Sequence, residues 1–391
     1  MTPAATAPSR PACAVCREPF TDPIFRSHTG VSLTSLCTLQ SQPTIVYSCS
    51  TCGHLQTPAL DDLDEYYAST YRILLDSEEE DQLYDTVDGR QVFRAEHQAV
   101  TFLSLVRPAQ ATRVLDFGAA KGATMRHVRS SRPDLQVHFF DVSDMYVDYW
   151  RRIVADQAFA THELPEHWRG SFDVVTSFFM LEHVEHPVDV LTTLWSLLRP
   201  GGVAYLIVPN PIVNIADFVV VDHTNHFTDS SLERAFIQAG FDEIVLDHEA
   251  HQGAWTVMAR RPTGASEATP TTEVAPNLAA ASELADYWAS VTDHIAEAER
   301  LVADGPAAIY GAGFYGSYLR AALEHPEHIE VWIDQNPYLQ GRQHFGLPVV
   351  APADLPQQVR DVYVGLNPHT SRSVIEGVEV WQDRTIRFHY L

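Results

Sequence analysis

The sequence is poor in cysteine and in basic residues, and it has no long apolar run. Lys and Arg total 26 against 51 Asp and Glu, a formal charge of −25. This balance argues against a nucleic-acid partner, since phosphate binding needs clustered Lys and Arg, but it does not exclude a small anionic ligand. No apolar run approaches the roughly 20 residues of a membrane span, and the first ten residues lack the apolar core of a signal peptide. We expect a cytoplasmic protein with no membrane partner.

All five cysteines lie within the first 52 residues, and four of them form two C-x-x-C pairs. The pairs are Cys13 with Cys16 and Cys49 with Cys52, and Cys37 stands apart. In a cytosolic protein, paired C-x-x-C knuckles indicate a tetrahedral zinc site more than disulfides, although four unrelated thiols or a redox pair remain alternatives. Four cysteine ligands leave no open position, so the predicted zinc ion is structural.

At 391 residues the chain is long enough for two or three domains. Residues 262–277 are rich in Pro, Thr, Ala and Ser without apolar periodicity, which is typical of a linker. The predicted organisation is a zinc-binding module at 1–60, a helical connecting region at 61–105, an α/β domain at 106–261, the linker, and a helix with a smaller α/β unit at 278–391.

The central segment alternates short apolar runs with helical patterns, which predicts βαβ units and a parallel sheet. The predicted strands are "RVLDFG", "VHFFDV", "FDVVTSFF", "GVAYLIVP", "DEIVLDHE" and "AWTVMARR". A further apolar run, "ADFVVV" at 216–221, is interpreted as another strand region.

The first of these strands ends in a glycine loop, "VLDFGAAKGATM", with Asp116, Gly118 and Gly122 at D-x-G-x-x-x-G spacing. This spacing resembles motif I of class I S-adenosylmethionine (SAM)-dependent methyltransferases, with Ala120 in place of the usual middle glycine. Glycines allow the backbone to approach the ligand closely, and the following helix N-terminus favours its carboxylate. Asp141, 23 residues past Gly118, is expected to accept hydrogen bonds from both ribose hydroxyls.

Three later segments resemble elements of the same class in the same order. The stretch 172–187, "FDVVTSFFMLEHVEHP", matches the fourth strand and its loop, and 197–210, "LLRPGGVAYLIVPN", matches the helix, turn and strand that follow. The loop 160–168, "ATHELPEHW", is expected to contact adenine, with His162 and Glu163 as candidates. The resemblance implies a Rossmann-like sheet that binds SAM; the alternative is an α/β fold without catalysis.

A second glycine loop, "YGAGFYG", carries Gly311, Gly313 and Gly316 at the G-x-G-x-x-G spacing of dinucleotide-binding turns. Only 75 residues follow it, too few for a complete two-halved dinucleotide fold. Asp334, 18 residues past Gly316, keeps nucleotide binding open. Substrate docking or closure is the favoured interpretation, with a purely structural role or NAD binding as alternatives.

The order of modules resembles that of sugar C-methyltransferases acting on nucleotide-activated deoxysugars, which have a zinc module, a SAM-binding centre and a Rossmann-like C-terminal half. The stretch 332–355, "WIDQNPYLQGRQHFGLPVVAPADL", is the closest local match. The resemblance implies deoxysugar or antibiotic biosynthesis, a nucleotide-linked keto sugar as acceptor, and a histidine base that acidifies the carbon beside the keto group.

The catalytic candidates follow from this resemblance. In the segment 222–232, "DHTNHFTDSSL", alignment on the family's histidine assigns the base to His226, with Asn225 at a Glu position and His223 at a Tyr position. His183 in "LEHVEHP" matches another active-site histidine of the family. "H-x-x-H-F-T" is also a lid segment in methyltransferases of other acceptor classes, which is the non-catalytic alternative.

Two tyrosines, Tyr67 and Tyr71, occupy the positions of a tyrosine-containing substrate loop in the same family, although the surrounding sequence differs. O-methylation of a hydroxyl is the alternative to C-methylation. An RNA methyltransferase and a non-catalytic scaffold with a SAM-type fold are further alternatives, disfavoured by the charge and by the intact glycine loop respectively. The oligomeric state is open.

Overall fold

A computed structural model of the protein describes residues 11–27, 32–60, 80–302, 305–382 and 384–391. Within these ranges the strands are β1 Phe25–Arg26, β2 Ser32–Leu33, β3 Leu39–Gln40, β4 Ile45–Ser48, β5 Leu55–Gln56, β6 Leu83–Val87, β7 Arg90–Phe93, β8 Arg113–Phe117, β9 Gln136–Asp141, β10 Phe159–Thr161, β11 Phe172–Phe178, β12 Leu198–Pro209, β13 Asn225–His226, β14 Asp242–Asp247, β15 Ala254–Arg260, β16 Ala307–Tyr310, β17 Ile329–Ile333, β18 Gln343–His344, β19 Leu347–Val350, β20 Asp361–Val364 and β21 Arg387–Tyr390. The α-helices of the same ranges are α1 Arg94–Val106, α2 Ala123–Ser131, α3 Val147–Trp150, α4 Pro187–Leu197, α5 Asp229–Gln238, α6 Ala275–Leu301, α7 Phe314–Ala322 and α8 Ser371–Glu376.

The centre of the chain is a seven-stranded sheet with the order β10-β9-β8-β11-β12-β15-β14. Strands β8 to β12 run parallel, whereas β15 pairs antiparallel with both β12 and β14. The six strands predicted from the sequence all form, but a purely parallel sheet is wrong at β15. The connection from β14 to β15 is too short for the crossover that a parallel neighbour needs, so the chain turns back as a hairpin.

The sheet has its switch point between β8 and β11, because β9 and β10 continue to one side of β8 and β11 starts the other side. In open α/β sheets, ligands bind outside the carboxyl ends of the strands at such a point. The carboxyl ends of β8, β9, β11 and β12 therefore mark the expected site.

The apolar run at 216–221, predicted as a strand, is instead a 3₁₀ helix over Ile215–Val219 followed by a loop. Its side chains are buried by packing against other modules and not by pairing within a β-sheet. The Phe218 ring lies 5.6 Å from that of Phe25, and the indole N–H of Trp288 donates to the Ile215 carbonyl at 2.9 Å. Burial against neighbouring modules thus explains a run that periodicity alone assigns to a sheet.

The N-terminal module is completed by the central domain. Its four-stranded sheet has the order β1-β4-β5-β13, and β13, which comes from the catalytic-candidate segment, pairs antiparallel with β5. One hydrophobic core joins Cys13, Cys49 and Cys52 to residues of α4 and α5. The module is therefore packed onto the central domain along its length.

The C-terminal unit is a six-stranded sheet with the order β18-β19-β17-β16-β20-β21. All its pairings are parallel except that of β18 with β19. A second shared core joins α6 and this unit to Phe25 and Leu55 of the N-terminal module and to Ile215–Val219. Among the described residues, no helix has the length and apolar character needed to cross a membrane.

Candidate active site

A cleft of about 1420 Å³ lies over the carboxyl ends of the central sheet. Residues from all three modules line it, including Ser35 and Cys37 near the N-terminus, Gly118 and His183 of the central domain, and Gly313 of the C-terminal unit. The volume exceeds the roughly 300–1,000 Å³ of common small-molecule pockets, so the cleft has room for two ligands.

The first glycine loop forms one wall of the cleft with a tightly constrained backbone. Gly118 has φ +71° and its N–H donates to the Phe140 carbonyl at 2.9 Å. A Cβ at Gly118 would lie 2.6 Å from the Met180 side chain, and one at Gly122 (φ +69°) would lie 2.7 Å from the Phe139 ring. Ala120 also adopts a left-handed conformation, with φ +44°. Glycine is thus required at both predicted positions for conformational and steric reasons.

The two predicted acids of this loop have different surroundings. Asp141 lines the cleft and accepts from the Ala120 N–H at 2.9 Å and the Ser143 N–H at 3.0 Å. Asp116 lies beneath the loop, where burial raises its pKa to about 7 although the Thr176 hydroxyl donates to it at 2.9 Å. Asp116 lines a smaller adjoining pocket together with Gly118 and Lys121. Of the two candidates in the loop 160–168, His162 lines the main cleft.

Asp217, in the 3₁₀ helix, holds two of the predicted histidines. Its Oδ1 lies 2.6 Å from His223 Nδ1, and its Oδ2 lies 3.0 Å from His226 Nδ1. Burial opposes ionisation of Asp217, but the two histidines hold its pKa well below the usual range. A carboxylate behind a histidine fixes the tautomer of the ring and leaves Nε2 as the lone-pair atom.

The two histidines then face different surroundings. His223 lines the cleft, whereas His226 is completely buried, with its Nε2 2.8 Å from the Thr57 hydroxyl. Asn225 is also buried: its Nδ2 donates to the Val184 carbonyl at 2.5 Å and its Oδ1 lies 3.0 Å from His54 Nε2. Neither His226 nor Asn225 is among the described residues that line the cleft, so their predicted catalytic role stays a prediction.

His183 and Glu182 follow β11 and reach the cleft beside His223. The rings of His183 and His223 are T-shaped with centroids 4.7 Å apart. Burial lowers the pKa of His183 to about 4 and raises that of Glu182 to about 8. For His223, burial acts to lower the pKa, but the Asp217 hydrogen bond and nearby carboxylates raise it to about 9. The structure thus brings His183 together with His223, whereas the sequence analysis assigned the base to His226.

Two residues at this site, Asp217 and Glu182, were absent from the sequence-based prediction. Each left a signal. Asp217 is a single acid within the apolar run 212–221, and Glu182 directly precedes His183. An isolated acid inside an apolar run costs free energy unless it is paired, and here its partners are two histidines.

In the second glycine loop, two glycines are required by close packing and one lines the cleft. A Cβ at Gly316 would lie 2.0 Å from the Gly311 carbonyl oxygen, and one at Gly311 (φ +97°) would lie 2.4 Å from that of Gly365, so both permit close packing of α7 on the sheet. Gly313 lines the cleft. Asp334 accepts from the Ala312 N–H at 2.8 Å and supports the loop from behind.

A short segment at 80–82 connects the first glycine loop to the C-terminal unit. Lys121, the only lysine of the chain, donates to the Glu80 carbonyl at 2.7 Å. The Glu80 carboxylate accepts from Arg342 of the C-terminal unit, also at 2.7 Å. Glu80 and Arg342 both line the cleft. The predicted substrate residues Tyr67 and Tyr71 lie outside the described residues.

The four knuckle cysteines converge in the N-terminal module. Cys13 Sγ lies 3.6 Å from Cys52 Sγ, and Cys16 Sγ lies 3.4 Å from Cys49 Sγ. All four sulfur atoms are within 4.8 Å of one another. Four ligands about 2.3 Å from a central ion would have such separations, so this four-cysteine group fits a tetrahedral Zn²⁺. Cys37 is not part of the group and lines the cleft instead.

Comparison with known proteins identifies the central segment. A family model described as a methyltransferase domain matches residues 89–246, less than half of the chain. This segment is a class I SAM-dependent methyltransferase domain. The methyltransferase domain thus contains β8 to β12 and the first glycine loop. It also contains Glu182, His183, and Asp217 with its partners His223 and His226.

Curated relatives match this domain over part of their length. The ubiquinone biosynthesis O-methyltransferase of Dechloromonas aromatica is 32% identical over 99 residues, which cover 24% of this chain and 43% of the relative. The tRNA 5-carboxymethoxyuridine methyltransferase of Escherichia coli K12 is 33% identical over 110 residues, covering 26% of this chain and 41% of the relative. The chain thus spans about two fifths of the length of these relatives.

Solved structures resemble the methyltransferase domain at low sequence identity. The CurJ carbon methyltransferase matches with a TM-score of 0.35 and 14% identity, covering 42% of this chain and 54% of that chain. Phosphoethanolamine N-methyltransferase 2 of Haemonchus contortus, solved with S-adenosyl-L-methionine, matches with a TM-score of 0.35 and 17% identity, covering 42% of this chain and 52% of that chain.

Proposed function

We propose that this chain transfers a methyl group from SAM to a nucleotide-linked keto-deoxysugar, at the carbon beside the keto group. The observation that carries the proposal is one cleft of about 1420 Å³ shared by the methyltransferase glycine loop, the His183–His223 pair and Gly313 of the C-terminal unit. A separate acceptor domain that faces the SAM loop is what a large two-part acceptor requires.

SAM occupies the part of the cleft next to β8 and β9. Gly118 and Gly122 allow its amino-acid portion to approach the backbone, and Asp141 accepts from the ribose hydroxyls. Both Asp141 oxygens already accept one backbone N–H, which fixes the carboxylate toward the cleft. Each oxygen keeps a second lone pair for a hydroxyl. His162 lies where the adenine is expected.

The acceptor occupies the part of the cleft nearer the C-terminal unit. Gly313, Arg342 and Asn336 line this part, and Gly313 opens helix α7, whose N-terminus favours anionic groups. A guanidinium matches phosphate geometry. In a chain of net charge −25, such local donors are what a nucleotide diphosphate would need. Gly311, Gly316 and Asp334 support this loop, and NAD is not required by the proposal.

The acceptor is activated at the floor of the cleft by Glu182, His183 and His223. The acceptor carbon loses its proton to an imidazole of the His183–His223 pair, and the electron pair left on that carbon forms the bond to the methyl group of SAM, whose sulfonium becomes a thioether. The enolate oxygen formed on the way needs electrostatic stabilisation. We assign His226 and Asn225 a positioning role, since their contacts hold Asp217 and the loop at Val184.

O-methylation of a hydroxyl is the second candidate. It is favoured by Asn225, which supplies no carboxylate at the position where the C-methyltransferase pattern has Glu, and by relatives named O-methyltransferases. One relative is named a tRNA methyltransferase; the charge of −25 makes RNA a poor acceptor for this chain.

We also propose that Cys13, Cys16, Cys49 and Cys52 hold a structural Zn²⁺, which fixes the turns that carry β5.

The test is incubation with SAM and a panel of keto and reduced nucleotide-sugars in deuterium oxide, followed by mass spectrometry and NMR. C-methylation predicts methylated product together with deuterium exchange beside the keto group. Both signals should be lost in His223→Ala and kept in the control His294→Ala, an exposed histidine of α6. Methylation of a reduced sugar without exchange would establish the O-methyl route. Saturable SAM binding with no product from any sugar would refute the acceptor class.

A further inference from the structure

Three buried side chains with metal-ligating atoms meet at the floor of the cleft. One such atom each from Glu182, His183 and His223 lies within 4.8 Å of the others. All three residues are at most 9% exposed. Two imidazoles and one carboxylate form the donor set of several zinc and non-haem iron sites. The distances allow one ion to reach all three after small side-chain rotations.

Both imidazoles are hydrogen-bonded in the manner of metal ligands. His223 Nδ1 lies 2.6 Å from the Asp217 carboxylate, and His183 Nδ1 lies 3.3 Å from the Asp222 carbonyl. A carbonyl or ionised carboxylate can only accept, so each Nδ1 carries a proton and Nε2 is the ring atom left to bind an ion, which would displace any proton held there. Histidines that bind metals almost always donate their second ring N–H to such groups.

The carboxylate of the group has an oxygen without a partner. Three carboxylates are buried around the histidines: Asp217, Asp222 and Glu182. Asp217 is engaged by two histidines, and Asp222 accepts from the Ser35 N–H and hydroxyl at 2.6 and 2.7 Å. Glu182 Oε2 is buried and has no hydrogen-bond partner among the described residues. Such an atom costs free energy unless a ligand satisfies it.

We propose that Glu182, His183 and His223 bind a divalent transition-metal ion at the floor of the cleft. The site is distinct from the four-cysteine group, which lies in the N-terminal module and offers only sulfur. Three protein ligands leave at least one coordination position open toward the cleft, whereas four thiolates leave none. The part of the inference that concerns the acceptor rests on the proposed function: the open position takes the acceptor's keto or hydroxyl oxygen.

The ion would supply Lewis-acid chemistry at the atom next to the methylated centre. Bound to a keto oxygen, it stabilises the enolate; bound to a hydroxyl, it lowers the pKa of that group. Asp217 acts through His223 and is therefore a positioning residue.

Metal binding is tested first with Mn²⁺, which prefers nitrogen and oxygen ligands over thiolates. The full-length protein, with Zn²⁺ retained at the four-cysteine group, is titrated with Mn²⁺, and free Mn²⁺ is followed by electron paramagnetic resonance. We expect one saturable Mn²⁺ per chain. Glu182→Gln and His223→Ala should abolish it, Asp217→Asn should weaken it about 10–100-fold, and His294→Ala should bind as the wild type does.

Two further measurements keep the test decisive. SAM affinity, measured by calorimetry, confirms that each variant is folded, because Gly118 and Asp141 are not altered. Cys49→Ser should lose one Zn²⁺ per chain by elemental analysis but keep the Mn²⁺ site. The proposal is overturned if the wild type shows no saturable Mn²⁺ or Zn²⁺ beyond the ion of the four-cysteine group, or if binding survives both Glu182→Gln and His223→Ala.

The failure of this inference differs from failure of the proposed function. Full-rate methylation of a nucleotide-sugar by protein free of the second ion would overturn the Lewis-acid role of that ion and leave the acceptor assignment intact. Saturable metal binding lost in both variants, with no product from any nucleotide-sugar, would support the metal site and refute the acceptor assignment.

Discussion

At the scale of single residues, the methyltransferase glycine loop is defined by sterics. Gly118 combines φ +71° with a position where a Cβ would lie 2.6 Å from Met180. Gly118→Ala should therefore displace Met180 and the loop, weakening SAM binding at least about tenfold and lowering stability by more than the roughly 1 kcal/mol that a strained backbone alone costs. Calorimetric SAM titration and urea unfolding measure both effects.

Gly170 offers a matched control in the same domain. It has φ +63°, but an added Cβ would have no atom within 4 Å. Gly170→Ala should share the backbone strain and keep the SAM affinity. Equal SAM affinities for the two variants would show that the close contact with Met180 is not what makes glycine necessary at position 118.

Asp116 should give the apo protein a pH-dependent stability. Burial raises its pKa from 3.8 to about 7, so the folded state binds a proton more tightly than the unfolded state. That contribution is complete below about pH 4 and is lost as the pH rises to about 7. The difference in unfolding free energy between wild type and Asp116→Asn should change in this direction by at most about 1.4 kcal/mol per pH unit.

Urea unfolding of both proteins between about pH 5 and 8 provides the measurement. The comparison with Asp116→Asn removes the contribution of other titrating groups. Parallel stability curves for the two proteins would mean that Asp116 is ionised in the folded state throughout this range.

At the scale of elements, the sequence predicted what is local and missed what is long-range. Strands such as β8 and β12 have apolar runs bounded by turns, so their own residues define them. Strand β13 consists of only Asn225 and His226. It forms because it pairs with β5, and Thr57, the residue that follows β5, lies 169 residues before His226 in the sequence. The resemblance proposed these residues for a catalytic role, which stays a prediction. The tertiary pairing shows that β13 joins the sheet of the N-terminal module, and neither residue is among the described residues that line the cleft.

The β5–β13 junction should be sensitive to one hydroxyl. Thr57 follows β5, is 3% exposed, and lies 2.8 Å from His226 Nε2. Thr57→Val keeps the shape but leaves that nitrogen without its partner, which should destabilise the protein by about 1–3 kcal/mol. Urea unfolding followed by tryptophan fluorescence measures this. The exposed control Thr263→Val should change stability by less than about 0.5 kcal/mol.

A loss in Thr57→Val no greater than in Thr263→Val would contradict this account of the junction. The same variant also reports on the site, since His226 contacts Asp217, which in turn contacts His223. We expect a lower kcat with SAM affinity unchanged, because the hydrogen bonds of Thr57 within the described residues are to His226 and Thr224, and neither is proposed to bind SAM.

At the scale of the whole molecule, the modules form one packed unit around the cleft. One core joins the cysteine knuckles to α4 and α5, and another joins α6, the C-terminal sheet and the N-terminal strands. Composition and motifs predicted the three modules, but they could not predict that all three line a single cleft, because that depends on how the modules pack. One link between the segment at 80–82 and the C-terminal unit is the Glu80–Arg342 ion pair.

Substitution of Arg342 should weaken binding of the acceptor but not binding of SAM. The Arg342 side chain is 36% exposed and donates to Glu80 at 2.7 Å, but the Glu80 side chain is only 6% exposed. Removing the arginine therefore takes a partner from a buried carboxylate, and stability should fall as well. Arg342→Met keeps the aliphatic stem and removes the cation that we assign to the acceptor phosphates. The acceptor KM should rise about tenfold or more while the SAM dissociation constant stays unchanged.

Glu80→Gln, which removes the partner but keeps the cation, should leave the acceptor KM much closer to that of the wild type. If both variants instead weaken SAM binding equally, the arginine acts through the segment at 80–82 and Lys121, and the C-terminal unit supports the SAM loop instead of holding the acceptor.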